Sequence, residues 1–188
     1  MARLKSPEKR GAILDAAVHE IARRGLAAST ASIAKRAGVA TGTLFTYFSN
    51  KHVLLNELYL ELKREAYGRV NANFPATASA EARARHIWTE FLSWGIESPE
   101  RRKVSLLLTV SDVLTANTRA QVATIRGAVE SSMKELARRS VEHGLPPEFG
   151  AAFLSAMQET TMDFAVRQPK RRKELIERGF HMYWRAIR

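Results

Sequence analysis

Apolar residues recur every three to four positions along most of this sequence, and that period commits the chain to helices packed on helices. Between Glu8 and Arg24, Ile13, Ala17 and Ile21 form one i, i+4 row, and Leu14, Val18 and Ala22 form the next. Two adjacent rows make a stripe that must be covered. Gly25 follows the last turn, where a glycine commonly ends a helix. Ser29 or Thr30 can cap a second, short helix to about Ala37, with Ile33, Ala34 and Ala37 inward. Gly38 stops it. A third short helix is predicted from about Thr41 to Tyr47. Ser49 is positioned to cap a fourth from near Lys51, in which Val53, Leu54, Leu58 and Leu62 extend the buried face.

The stretch "VNANFPATAS" around Pro75 breaks the pattern and reads as a linker. Residues 80–96 are again helical, with Ile87, Phe91 and Trp94 on one side. Pro99 restarts a helix through "PERRKVSLLLTVSDVL". Asn117 or Thr118 can cap a long helix to about His143, which "GLPP" ends. Two further helices are predicted near 148–167 and 170–187, parted at Gln168-Pro169. No segment shows the alternation of a strand, and no repeat appears. The expectation is an all-α chain of about nine helices. A helix-turn-helix domain over 1–56 (three helices and a connecting fourth) precedes a helical domain over 57–188.

Lys and Arg number 30 against 19 acids, a formal charge of +11. The first 56 residues hold nine basic and three acidic side chains, so the excess is densest there. Such a bias calls for a polyanionic partner. There is no cysteine, which removes disulfides, thiolate metal sites and cysteine nucleophiles. The five histidines lack metal-ligand spacing, and no nucleophile elbow or phosphate loop is present. An enzyme is not expected, nor a cofactor or a metal. The start is basic without an apolar run, so it does not read as a secretory signal. The longest apolar stretches fall short of the ~20 residues of a spanning helix. A soluble cytoplasmic protein with no membrane partner is the simplest expectation.

The second and third helices, joined by a tight glycine turn, make a helix-turn-helix, whose second helix enters a major groove N-terminus first. Its middle, "AGVATGTLFTYFSNK", is poor helix material because glycine and β-branched residues are below-average helix formers. A docking surface explains that choice. Gly42 lets the backbone come close. Thr41 and Thr43 supply short hydroxyls and methyls for phosphates, base edges and thymine methyls. Leu44 and Phe48, at i and i+4, pin the helix, and Phe45 is expected to pack beside them. Tyr47 opposes that face and is expected to reach outward. Lys51 starts the fourth helix, where an ammonium can meet a phosphate.

The segment "STASIAKRAGVATGTLFTYFSNKHVLL" resembles the signature of the TetR family of bacterial transcriptional regulators. It has the Ile-Ala pair, Ala-Gly-Val, Gly-Thr-Leu, an aromatic, Tyr-Phe, Asn-Lys and Leu-Leu. The resemblance covers roughly residues 8–60. It implies that Thr30, Thr43, Tyr47 and Lys51 hold phosphates and that Thr41 and Gly42 sit at base edges, with the helix-turn-helix at about 29–48. Lys35 and Arg36 can add phosphate contacts. Ala31 and Ala40 stand where relatives often place polar side chains, so base reading rests on few residues.

The resemblance also implies a ligand-responsive repressor. Such a protein binds a pseudo-palindromic DNA operator as a homodimer and is released by a small-molecule effector. The alternative is a DNA-bound structural or division-control protein without a ligand. Trp88, Phe91, Trp94, Leu107, Met133, Met157 and Phe164 are the candidates to line an effector pocket. The last two helices carry more apolar residues than a terminal hairpin needs. Phe153, Met157, Phe180, Tyr183 and Trp184 are therefore expected at a two-fold interface.

Overall fold

The computed structural model describes residues 6–187; the first five residues of the basic start, from which the absence of a secretory signal was read, lie outside them. The helices are α1 Pro7–Arg24, α2 Thr30–Arg36, α3 Thr41–Tyr47, α4 Lys51–Asn71, α5 Ala80–Glu97, α6 Pro99–Thr109, α7 Ala116–Arg126, α8 Glu130–Glu142, α9 Phe149–Arg167 and α10 Arg172–Ala186. No strand occurs among the described residues. The fold is all-α.

Local chemistry sets most of the boundaries. The Ser6 hydroxyl accepts from the Lys9 N–H at 3.3 Å, with Pro7 opening α1. Ser29 accepts from Ser32 at 3.1 Å, and Ser79 from Ala82 at 3.2 Å. Two caps shift from expectation. Asn50 rather than Ser49 caps α4, its Oδ1 accepting from the Val53 N–H at 2.8 Å. Thr115 rather than Asn117 or Thr118 caps α7, accepting from the Thr118 N–H at 3.0 Å. The single helix expected from Asn117 to His143 is broken at Gly127, whose φ is +57°. A Cβ there would lie 3.0 Å from the Asn71 side chain. Asn71 Oδ1 in turn accepts the Ala128 N–H at 3.1 Å. A side chain from a distant helix fixes that break, so helical period alone did not reveal it.

Contacts divide the chain into two compact units, each discontinuous: residues 1–63 with 99–122, and residues 64–98 with 123–188. The sequence pattern led to a single cut after residue 56. In the first unit Ile13, Ala17, Ile21, Ile33, Leu44, Leu54, Leu58 and Leu62 are buried, with Val104 and Leu108 of α6. Fully burying a side chain of this size contributes about 1.5–3 kcal/mol. Asn56 is also buried. Its amide donates to the Val113 carbonyl at 3.0 Å and its Oδ1 accepts from the Thr115 N–H at 3.0 Å, so its polar groups are satisfied.

The second unit is built around Trp88, Leu92, Met162 and Phe180, all buried. Trp88 stacks on Tyr183 at 5.6 Å and donates its indole N–H to the Ile176 carbonyl at 2.9 Å. Close approach of α5, α9 and α10 needs Gly179. A Cβ there would meet Thr161 Oγ1 at 2.8 Å and Trp88 Cζ2 at 3.0 Å.

Candidate functional site

The first unit positions α3 by two side chains. Leu44 and Phe48 are buried, as their i, i+4 spacing predicts. The opposite face is open: Thr41, Gly42, Phe45 and Thr46 are exposed. A Cβ added to Gly42 would meet nothing within 4 Å, so the fold itself does not require glycine there. Phe45 departs from expectation. It does not pack but stands 42% exposed, one helical turn after Thr41 on the same face. Thr46 donates its hydroxyl back to the Gly42 carbonyl at 3.2 Å. Ala40, at the N-cap, makes no side-chain cap, so no polar side chain competes at the start of α3.

Three of the expected phosphate-holding residues have structural partners as well. Tyr47 is half-buried and its hydroxyl oxygen accepts the Ser6 N–H at 2.9 Å. That bond ties the start of α1 to α3 and leaves the phenolic proton available for donation. Lys51 Nζ donates to the Leu26 carbonyl at 2.6 Å, which uses one of its three N–H bonds. Arg36 Nε donates to the buried Glu20 carboxylate at 2.8 Å. This hydrogen bond, aided by Arg24, holds the Glu20 carboxyl below the usual carboxylate range. Arg36 thus clamps α2 to α1. Thr30, in the first turn of α2, and Thr43 are half-buried, and Lys35 is exposed.

In the second unit the expected pocket residues separate. Trp88 and Trp94 are buried, Phe91 and Met157 pack against the Trp88 core, and Phe164 is exposed under the Arg167 guanidinium at 4.7 Å. Leu107 belongs to the first unit. Of that set, Met133 lines an apolar cavity of about 50 Å3, together with Ile87, Leu136, Leu154, Tyr183 and Trp184. Arg83, Glu135 and Arg139 stand among its polar lining. The Arg138 and Arg139 guanidiniums hold Glu135 down at about 2. Burial pushes the Tyr183 phenol up to about 12. Of the residues expected at a two-fold interface, Phe180 and Tyr183 are buried in the chain's own core, and Phe153, Met157 and Trp184 pack half-buried against it. The apolar side chains left exposed on α9 and α10 are Phe149, Phe164, Val166 and Met182.

Sequence reading put Phe45 in the core and Trp184 at a two-fold interface, and it passed over Arg139. Phe45 had a usable signal in its spacing from Thr41. The other two had none, since their place depends on how α8 and α10 meet.

A short third helix with an open, hydroxyl-rich face, following α2 after the turn at Gly38, has the layout of a helix-turn-helix DNA-binding domain. The family model for bacterial regulatory proteins, tetR family, matches residues 13–58. Residues 13–58 thus match the DNA-binding domain of that family. The fatty acid metabolism regulator protein of Bacillus subtilis (strain 168) is 41% identical over 70 residues, 37% of this chain and 36% of that protein. The match therefore spans about a third of the relative's length. A tetR family transcription regulator of Shewanella sp. PV-4 superposes with a TM-score of 0.79 at 28% identity, over 95% of this chain and 97% of the other. FadR of Bacillus subtilis, solved in complex with stearoyl-CoA, shares the fold with a TM-score of 0.68 at 21% identity, over 92% of this chain and 96% of that chain. Among the described residues no helix is long and apolar enough to cross a membrane, and no cluster of potential metal ligands occurs.

Proposed function

We propose that this regulator is a ligand-responsive repressor that binds a pseudo-palindromic operator as a homodimer. The observation that carries the reading is the α3 face on which Thr41, Gly42 and Phe45 are exposed while Leu44 and Phe48 anchor the helix. Gly42 admits the backbone to the groove floor, and Thr41 and Phe45 meet base edges and thymine methyls. Thr30, Lys35, Thr43, Tyr47 and Lys51 hold flanking phosphates, which set position without reading sequence. Two copies place their α3 helices in successive major grooves, one helical turn apart. The exposed Phe164, Val166 and Met182 of α9 and α10 supply the apolar patch for a second copy.

An effector taken up by the second unit releases DNA by favouring a conformation in which the two α3 helices are wrongly spaced. Tenfold weakening requires about 1.4 kcal/mol of differential binding. Helix α4 runs through the boundary between the units at residues 63 and 64 and is the lever. That a shared-fold regulator holds stearoyl-CoA supports a small-molecule effector with a large apolar part.

The test is a genome-wide map of sites bound by the tagged protein, followed by gel shift on the recovered sequences. One or a few palindromic operators near regulated genes are expected. Binding spread over many unrelated sites refutes the repressor reading and favours a structural DNA-binding role.

A further inference from the structure

The small cavity of the second unit adjoins a wider groove of about 240 Å3, and the two share Leu136, Arg139 and Ile187. Together they approach the lower end of the ~300–1,000 Å3 of small-molecule sites. Phe149 and Phe153 line the groove and Ile87, Met133 and Leu154 the cavity, so the run is apolar from one end to the other. The polar lining is made of the hydroxyls of Ser132, Ser140 and Tyr183 and of a few charged or ring-nitrogen groups, among which cations outnumber the one carboxylate. Arg83 and Arg139 stand at the cavity and His143 at the groove. The one carboxylate, Glu135, is already engaged by Arg138 and by Arg139, whose Nε lies 2.9 Å away.

One donor has no acceptor. The indole N–H of Trp184, which lines the cavity, is buried and makes no hydrogen bond in the protein. Buried polar groups are nearly always paired, because an unpaired one has given up its bonds to water with nothing in exchange. Its ring is held by stacking on Phe180 at 6.1 Å, so the donor is preorganised. Arg139 bridges the seam, its Nη1 donating to the Ile187 carbonyl at 3.2 Å. A guanidinium has five N–H donors, and the Glu135 and Ile187 bonds leave three of them over.

We infer that the cavity and groove together bind a single-chain amphipathic carboxylate, with its alkyl chain along Phe149, Phe153 and Leu136 and its carboxylate between Trp184 Nε1 and Arg139. The inference rests on the proposed effector site being in the second unit and gives that effector its chemistry. Glu135 is shared by Arg138 and Arg139, so a second carboxylate can pair with the N–H donors that Arg139 has left, as a neutral headgroup, lacking charge, cannot.

The test uses the full-length protein without DNA, titrated calorimetrically with decanoate and with 1-decanol. Decanoate is expected to bind at least ~10-fold more tightly than decanol, the difference of a charge-assisted hydrogen bond. Trp184→Phe keeps the ring and removes the donor. It is expected to weaken decanoate about 5- to 10-fold with no loss of thermal stability, since an unpaired donor is removed. Arg139→Lys, which keeps the charge, is expected to weaken decanoate less than Arg139→Gln. Equal affinity for acid and alcohol, unchanged decanoate affinity in Trp184→Phe, or no decanoate binding overturns the inference. So does saturation of the groove by self-association, read by sedimentation in the same buffer. A gel-shift arm separates the two ideas. Decanoate binding without loss of operator affinity refutes the repressor reading alone. Release of the operator by another compound, with no decanoate bound, refutes this inference alone.

Discussion

Replacing Gly42 with alanine should make the protein more stable and worse at binding its operator. Gly42 is the second residue of α3, its φ is not positive, and a Cβ built on it would meet nothing within 4 Å. A helical glycine is destabilising by roughly 0.5–1 kcal/mol relative to alanine, through backbone entropy. For a chain of 150–250 residues, each kcal/mol moves Tm by about 2–4 °C, so Gly42→Ala should raise Tm by about 1–4 °C. On DNA the same methyl stands where the first turn of α3 meets the groove. Lost fit at one base position typically costs about 1–3 kcal/mol, which is roughly 5- to 150-fold in Kd. Circular dichroism melts give the first quantity and fluorescence anisotropy on the operator the second, both at fixed salt. A higher Tm with unchanged operator affinity refutes the claim that this turn approaches DNA. A lower Tm refutes the claim that the glycine is not needed by the fold.

Lys51→Ala is expected to weaken every DNA sequence alike and to reduce the slope of log Kd against log salt by about 0.9, as loss of one phosphate contact does; an unchanged slope would leave Lys51 only its bond to Leu26. Gly179→Ala should destabilise by about 1–3 kcal/mol, because the new methyl falls 2.8 Å from Thr161 Oγ1; denaturant melts check this, and adding Thr161→Ala should recover part of the loss. The Tyr183 phenol, raised by burial from 10 to about 12, stabilises the fold fully below pH 10 and progressively less up to pH 12; melts across that range should lose a contribution on the order of 2 kcal/mol that Tyr183→Phe does not lose. Analytical sedimentation at micromolar concentration should show a dimer, and Met182→Glu on the exposed face of α10 should shift it toward monomer.

The order and type of the helices were readable from sequence because helical period and serine, proline and glycine punctuation act over a few residues. The rows Ile13–Ala17–Ile21 and Leu14–Val18–Ala22 are buried as their spacing requires, and α3 spans Thr41–Tyr47 as predicted. The open face of α3 was legible too, since Thr41 and Gly42 are exposed where the Leu44 and Phe48 spacing leaves them. What sequence could not decide was long-range. Gly127 breaks a helix because Asn71, 56 positions earlier, bonds the next backbone N–H. Arg36 turns from a candidate phosphate contact into a clamp because Glu20 is buried beside it. Phe180 and Tyr183 of α10, expected at a partner, are buried inside the second unit, where Trp88 stacks on Tyr183. Local period determines which face of a helix is apolar; only the packed tertiary structure determines what covers it, and so which donors, such as the Trp184 indole, are left for a ligand.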